Sequence, residues 1–170
     1  MTTTSDESQV EELRWLMQRL FRRFGALAAD ATPCGQPLSI AHAHALMVLR
    51  GRGEASQRDL GHELCIDKSN VTRLCTKMAS QGHVTQRPDD NDGRSRRVSL
   101  TAKGARVARQ VEAASGTRFQ ALLEALPTDV RPGVLSSLRH LLASVEATPA
   151  PRMARQERTE NGSRRLPRAS

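Results

Sequence analysis

Between Lys68 and Lys77 the sequence places seven side chains able to donate hydrogen bonds: Lys68, Ser69, Asn70, Thr72, Arg73, Thr76 and Lys77. None is acidic. Val71, Leu74, Cys75 and Met78 interleave at i, i+3, i+4 and i+7, the spacing of one apolar stripe on a helix. The seven polar residues therefore share the opposite face. Arg, Asn, Ser and Thr pair with base edges and Lys suits phosphates, so this face has the chemistry to read a duplex. A solvated surface helix would also be polar, but it ordinarily mixes Asp or Glu among its cations. A second basic cluster, Arg87, Arg94, Arg96 and Arg97, brackets Asp89, Asp90 and Asp92. A guanidinium at such a tip could enter a minor groove, with Asp90 or Asp92 orienting a neighbouring arginine as a bidentate partner. The alternative is a charged loop that keeps an edge strand soluble.

Other chemistries find less support. There is no Gly-rich phosphate loop, His-Glu-x-x-His or Cys-x-x-Cys pair, and Gly51-Arg52-Gly53 reads as helix termination. No catalytic residue, metal site or cofactor is assigned, and an enzyme is not expected. His42 and His44 lie two apart on a helix and point to nearly opposite sides, so one packs and one is solvated. A zinc-sensing arrangement would need Cys34, one of these histidines and an acid from the first or fifth helix. Cys65 and Cys75 fall at apolar positions and are expected to be small buried hydrophobes. Cys34, on a loop, is the accessible thiol and the candidate for redox sensing.

The elements that must position these residues follow from periodicity. Val10, Leu13, Leu16/Met17, Leu20/Phe21 and Phe24 form the stripe of a first long helix, broken across Asp30–Pro37. Ser39 caps a second helix to about Arg50, with Ala43, Leu46, Met47 and Leu49 inward. Ser56 and Asp59 resemble a capping box opening a short helix with Leu60 and Leu64. After a turn at Cys65-Ile66, Asp67 caps the helix Lys68 to about Gln81, and Gly82 supplies its left-handed end. Two helices so joined form a helix-turn-helix. The period then drops to two: Val84–Arg87 and Arg97–Leu100 read as strands around the polar tip Pro88–Arg96. Thr101 caps a fifth helix to about Leu126, with Val107, Val111, Phe119, Leu122 and Leu123 apolar. A sixth starts near Pro132 and carries Leu135, Leu138, Leu141/Leu142 and Val145. The expected class is mainly α with a small β-hairpin wing.

With 170 residues the chain fits one domain, and its formal net charge of +8 favours a polyanionic partner. From Thr148 on, six arginines (Arg152, Arg155, Arg158, Arg164, Arg165 and Arg168) face two glutamates, about half of that charge. This Pro-, Ser- and Gly-rich stretch has almost no apolar side chains and is expected to be a disordered basic tail over 147–170. One Trp, three Phe and no Tyr argue against stacking of single-stranded bases. Three cysteines make no disulfide framework, and no membrane span or leader is expected, which points to a cytoplasmic protein.

The run Asp92-Gly93-Arg94-Ser95-Arg96-Arg97-Val98-Ser99-Leu100-Thr101-Ala102-Lys103-Gly104 resembles the wing signature of MarR-type regulators, an Asp-x-Arg followed by a Leu-Thr-x-x-Gly junction. Ser56–Leu60 and Asp67–Leu74 are similar to that family's helix-turn-helix. The resemblance covers about Leu13 to Val145. It implies one domain over 1–146, with a DNA-binding lobe at about 39–101 and dimerisation helices at about 8–30 and 102–146. It implies a homodimer whose first, fifth and sixth helices interlock, set on successive major grooves of a pseudo-palindromic operator. Stripes too large for one small lobe to bury point the same way. The resemblance gives Asp92 and Arg94 the wing-tip roles and Ser69, Asn70, Thr72, Arg73 and Lys77 the recognition roles. It also implies a repressor released by a small effector such as a phenolic acid. A peroxide sensor of the kind held by tyrosines does not carry over to a chain without Tyr. The second functional reading is an architectural protein that binds DNA without sequence choice through the arginine tail.

Overall fold

The computed structural model describes residues 3–89 and 95–148. Six helices and three strands follow one another in this part of the chain: α1 (Thr3–Phe24), α2 (Ile40–Arg52), β1 (Glu54–Ser56), α3 (Gln57–Glu63), α4 (Lys68–Ser80), β2 (Val84–Pro88), β3 (Arg96–Leu100), α5 (Ala102–Glu124) and α6 (Arg131–Ala147). They fall into two compact units, Met1–Ala125 and Leu126–Ser170.

In the first unit, every helix from α2 to α5 begins on a side-chain cap. Ser39 Oγ accepts from the His42 amide at 3.3 Å, Asp67 Oδ1 from Asn70 at 2.8 Å and Thr101 Oγ1 from Gly104 at 3.0 Å. Ser56 and Asp59 complete the reciprocal capping box. Each such cap satisfies amides that the helix leaves open and is worth about 1 kcal/mol. Gly53 and Gly82, at φ +77° and +71°, turn the chain out of α2 and α4.

The strands form a three-stranded antiparallel sheet in the order β1-β3-β2. The hairpin was legible, but β1 was not, because three residues carry no alternation. Placing β3 in the centre makes β2 an edge strand, where Pro88 sacrifices no ladder bond. Ala45, Leu46, Leu49, Ala55, Leu60, Val71, Cys75, Met78, Val84, Val98 and Ala108 close into one core beneath this sheet and between α2, α3, α4 and α5. Each fully buried leucine among them contributes roughly 1.5–3 kcal/mol.

Two expected core positions are corrected. Met47 is 36% exposed, because α2 turns His42, Ala45, Leu46 and Leu49 inward and Met47 falls past the edge of that stripe. Cys65 is exposed, not buried, at φ +52°. The turn between α3 and α4 needs a left-handed residue there, and that geometry swings the side chain out.

The apolar residues of α1 are largely uncovered within the single chain: Val10, Leu13, Leu16, Leu20 and Phe21 of its stripe, and Trp15 beside it, are all exposed. Phe24 meets Phe119 of α5 with ring centroids 5.5 Å apart. In the second unit, α6 starts without a side-chain cap, with Pro132 in its first turn. Its residues Leu135, Leu138, Leu142 and Val145 are exposed.

Candidate nucleic-acid interface

Helix α4 exposes its polar face by burying the other one. Val71, Cys75 and Met78 are buried, while Lys68, Ser69, Asn70, Thr72, Arg73, Thr76 and Lys77 are all exposed. Along this face the polar groups are already ordered. Asn70 donates through Nδ2 to Asp67 Oδ2 at 2.6 Å, and its Oδ1 accepts from Arg73 Nη2 at 2.5 Å. The Asp67 carboxyl is held below its ordinary pKa, first by the Asn70 amide. Its charge is thus turned into the helix end, and the chain Asp67–Asn70–Arg73 holds the guanidinium of an exposed Arg73.

Thr72 and Thr76 differ from expectation. Their hydroxyls donate to the carbonyls of Lys68 and Thr72 at 2.8 and 2.9 Å. With the proton committed, each offers lone pairs and a methyl group, which suits an exocyclic amine or a thymine methyl more than a base acceptor.

Gln57, which sequence reasoning did not single out, opens α3 beside this face. Its Nε2 donates to Gln86 Oε1 at 2.8 Å, and Gln86 Nε2 donates to the Cys75 carbonyl at 3.1 Å. Gln86 lies on the inward side of β2, so this relay ties α3, α4 and the hairpin together. A cue existed: Gln86 interrupts an otherwise apolar inner row.

Arg96 starts β3 opposite Pro88 and is exposed. Asp92 and Arg94, the expected tip residues, lie outside the described residues, as do Asp90, Asn91 and Gly93. Among the described residues, Glu54 and Asp89 meet wing arginines: Glu54 binds Arg87 at 3.1 Å and Arg97 at 3.0 Å, and Asp89 lies 3.6 Å from Arg97. Glu54 sits on β1, the strand the sequence did not reveal.

The junction from β3 to α5 is fixed by contact. Thr101 N–H donates to the His83 carbonyl at 3.0 Å, and Thr101 Oγ1 donates to the Gly82 carbonyl at 2.6 Å. A Cβ placed on Gly104 would stand 1.8 Å from the His83 oxygen. Only glycine lets α5 dock on the turn after α4.

Residues 36–95, which hold α2, the helix-turn-helix and the first half of the hairpin, match the MarR family model. This lobe is similar to the MarR family and has its winged-helix fold. The family is one of DNA-binding transcription regulators and not of enzymes. The transcriptional activatory protein BadR of Rhodopseudomonas palustris is 41% identical over 49 residues, which are 29% of this chain and 28% of BadR. The match therefore spans under a third of that relative. Among solved structures, an Escherichia coli MarR mutant complexed with operator DNA superposes with a TM-score of 0.63 at 24% identity, over 81% of this chain and 95% of that one. BpsR of Bordetella bronchiseptica, whose DNA binding is regulated by 6-hydroxynicotinic acid, gives 0.63 at 20% identity, over 76% and 98%. At these identities the likeness establishes the MarR-type fold. The Leu-Thr-x-x-Gly signature of this lobe is Leu100 to Gly104, whose glycine meets the His83 carbonyl.

The sensing candidates are dispersed. Cys34 is half-buried with its Sγ 3.0 Å from Thr32 Oγ1. Cys75 is buried, and burial pushes its thiol up to about 11. His42 is buried and His44 exposed, the expected division of the two. The partner of His42 is His83, with Nε2 and Nδ1 3.0 Å apart. Among the described residues no group of three or more His, Cys, Asp or Glu is placed to hold a metal ion.

Proposed function

We propose that this chain is a sequence-specific regulator that binds double-stranded DNA as a homodimer on a pseudo-palindromic operator. The observation that carries the reading is the exposed face of α4, seven polar residues without an acid, pre-ordered by the Asp67–Asn70–Arg73 chain. In this reading α4 lies in a major groove. Asn70 and Arg73 address base edges, Thr72 and Thr76 present acceptors and methyls, and Lys68, Ser69 and Lys77 engage phosphates. The hairpin runs beside the neighbouring minor groove, with Arg94 at its tip oriented by Asp92 and Arg96 on the backbone. The operator complex of the similar E. coli protein supports this docking.

Dimerisation is supported by the uncovered apolar residues of α1, by Phe119, Leu122 and Leu123 of α5, and by those of α6. A second copy that covers them removes a liability unusual for a monomer. Occupancy of the operator would repress, and a small aromatic acid of the phenolic or hydroxynicotinic kind would release it, a class supported by the regulation of BpsR. Work on DNA places the protein in the cytoplasm. No described helix is long and apolar enough to cross a membrane.

Selection of bound duplexes from random DNA tests the reading, followed by competition at physiological salt. A selected palindromic site held about a thousandfold or more over random duplex is expected. Equal affinity for both would replace it with an architectural role. A reporter under the selected site then gives the sign of regulation, and aromatic acids and peroxide are screened for release of the site.

A further inference from the structure

The outer face of the wing sheet poses an electrostatic problem. Arg87 of β2 and Arg97 of β3 stand directly opposite each other in the register, so their side chains share one face of the pleat. Like charges at such a cross-strand position repel. The third strand supplies the counter-charge. Glu54 pairs with Ser99, two residues along β3 from Arg97, and so projects on that same face. One carboxylate oxygen accepts from Arg87 Nε at 3.1 Å, while the other accepts from Arg87 Nη2 at 3.2 Å and Arg97 Nε at 3.0 Å. Asp89, 3.6 Å from Arg97, adds to the cluster at the hairpin's far end. Thr85 and Ser99 continue the face with a 3.1 Å hydroxyl contact. A single acid on the shortest strand thus ties both arms of the hairpin to the lobe, at the point where the hairpin leaves for DNA.

We propose that Glu54 is the positioning residue of the wing: its carboxylate fixes the hairpin's departure from the lobe and keeps Arg87 and Arg97 off DNA phosphates, which trades non-specific affinity for sequence discrimination. The proposal rests on the reading that the wing faces duplex DNA. Its physical basis is competition. A guanidinium engaged bidentately by a carboxylate offers less to a phosphate than one that is not, and every arginine that turns to phosphate strengthens binding to all sequences alike. The same carboxylate is held below its usual pKa, first by the Arg87 hydrogen bond and then by Arg97, so it is charged throughout the physiological range.

The test compares wild type, Glu54→Gln and the double variant Glu54→Gln/Arg87→Gln for binding to the selected site and to random duplex over a range of salt. Glu54→Gln keeps the side-chain shape and removes the charge. Binding of random duplex should tighten, and the slope of log K against log salt should steepen by about 0.9 for each arginine that gains a phosphate. The ratio of selected to random affinity should fall about fivefold or more. Removing Arg87 as well should cancel its share of the added slope, which a merely structural role for Glu54 would not do. Thermal melting of each variant checks that the lobe stays folded. A Glu54→Gln protein with wild-type slope and ratio, or with a shallower slope, overturns the role of Glu54 alone. A wild-type protein that prefers no sequence overturns the parent reading, and this one with it.

Discussion

Lowering the pH from about 7.5 to 5 should destabilise this protein by about 2 kcal/mol through a single buried histidine. His42 is 1% exposed, and its Nε2 lies 3.0 Å from Nδ1 of His83, itself 7% exposed. Burial, then the charges of His83 and Lys77, pull its pKa from 6.5 down to about 4. The unfolded chain takes up this proton near 6.5, whereas the folded chain refuses it until about 4, so the neutral form is worth its full contribution above 6.5 and loses it as pH falls. Each unit between those values costs up to 1.36 kcal/mol, which gives about 2 kcal/mol by pH 5 and a ceiling of about 3 below pH 4. His83, lowered by burial and Lys103, adds in the same direction. The carboxylates behave differently. Glu54, Asp59 and Asp67 have folded pKa values below their ordinary ones, so their contribution is present above about pH 4 and is lost below it. The two windows scarcely overlap.

Urea denaturation at several pH values, at one fixed protein concentration so that any self-association contributes equally, measures this directly. His42→Gln keeps a hydrogen-bonding group toward His83 and removes the titration. It should lower stability at pH 7.5 while flattening the slope between 7.5 and 5. A wild-type protein equally stable at both pH values, or a variant with the wild-type slope, would refute the reasoning. Either result would mean that the pair is hydrated in solution.

Three further predictions follow from particular contacts. Gly104→Ala forces a Cβ to within 1.8 Å of the His83 carbonyl and should cost about 2 kcal/mol or more in urea, because backbone on both sides must move. Arg73→Ala should relax preference at one operator base pair by about 1–3 kcal/mol in a binding-selection profile, with little change in melting temperature; Asn70→Ala should do the same and also disturb Arg73. Among the thiols, Cys65 should react first with a maleimide and Cys75 only when the protein unfolds, since one is exposed and the other is buried with its thiol pushed up to about 11. Simultaneous labelling of all three in the native protein would contradict the burial assigned to the lobe's core.

The parts of this molecule that were legible in its sequence are those governed by local physics. A cap and its helix lie within three residues of each other, so Ser39, Ser56, Asp67 and Thr101 announce α2 to α5 without knowledge of the fold. The stripe of α4 is equally local, and it delivered the exposed polar face. What escaped notice is the set of features made by residues distant in the chain. β1 exists because β3 offers it a ladder, and Glu54 acquires its role only once Arg87 and Arg97 arrive beside it. His42 and His83 are 41 residues apart, and no periodicity connects them. Cys65 looked apolar by its neighbours, but the left-handed turn it occupies overrides that preference.

The donor count on α4 depends on more than side-chain type. Side-chain type alone makes Thr72 and Thr76 donors, yet a helix presents each of them with a carbonyl four residues earlier, and both hydroxyls donate there in this lobe. A recognition face is therefore defined by what the backbone leaves over. On α4 it leaves the guanidinium of Arg73 aligned by Asn70, the ammonium groups of Lys68 and Lys77, and two acceptors flanked by methyls. That distribution makes a sharper expectation than basic charge does. Arg73 should select a base with two acceptors on its major-groove edge, and the threonines a neighbouring base that carries an amine or a methyl group.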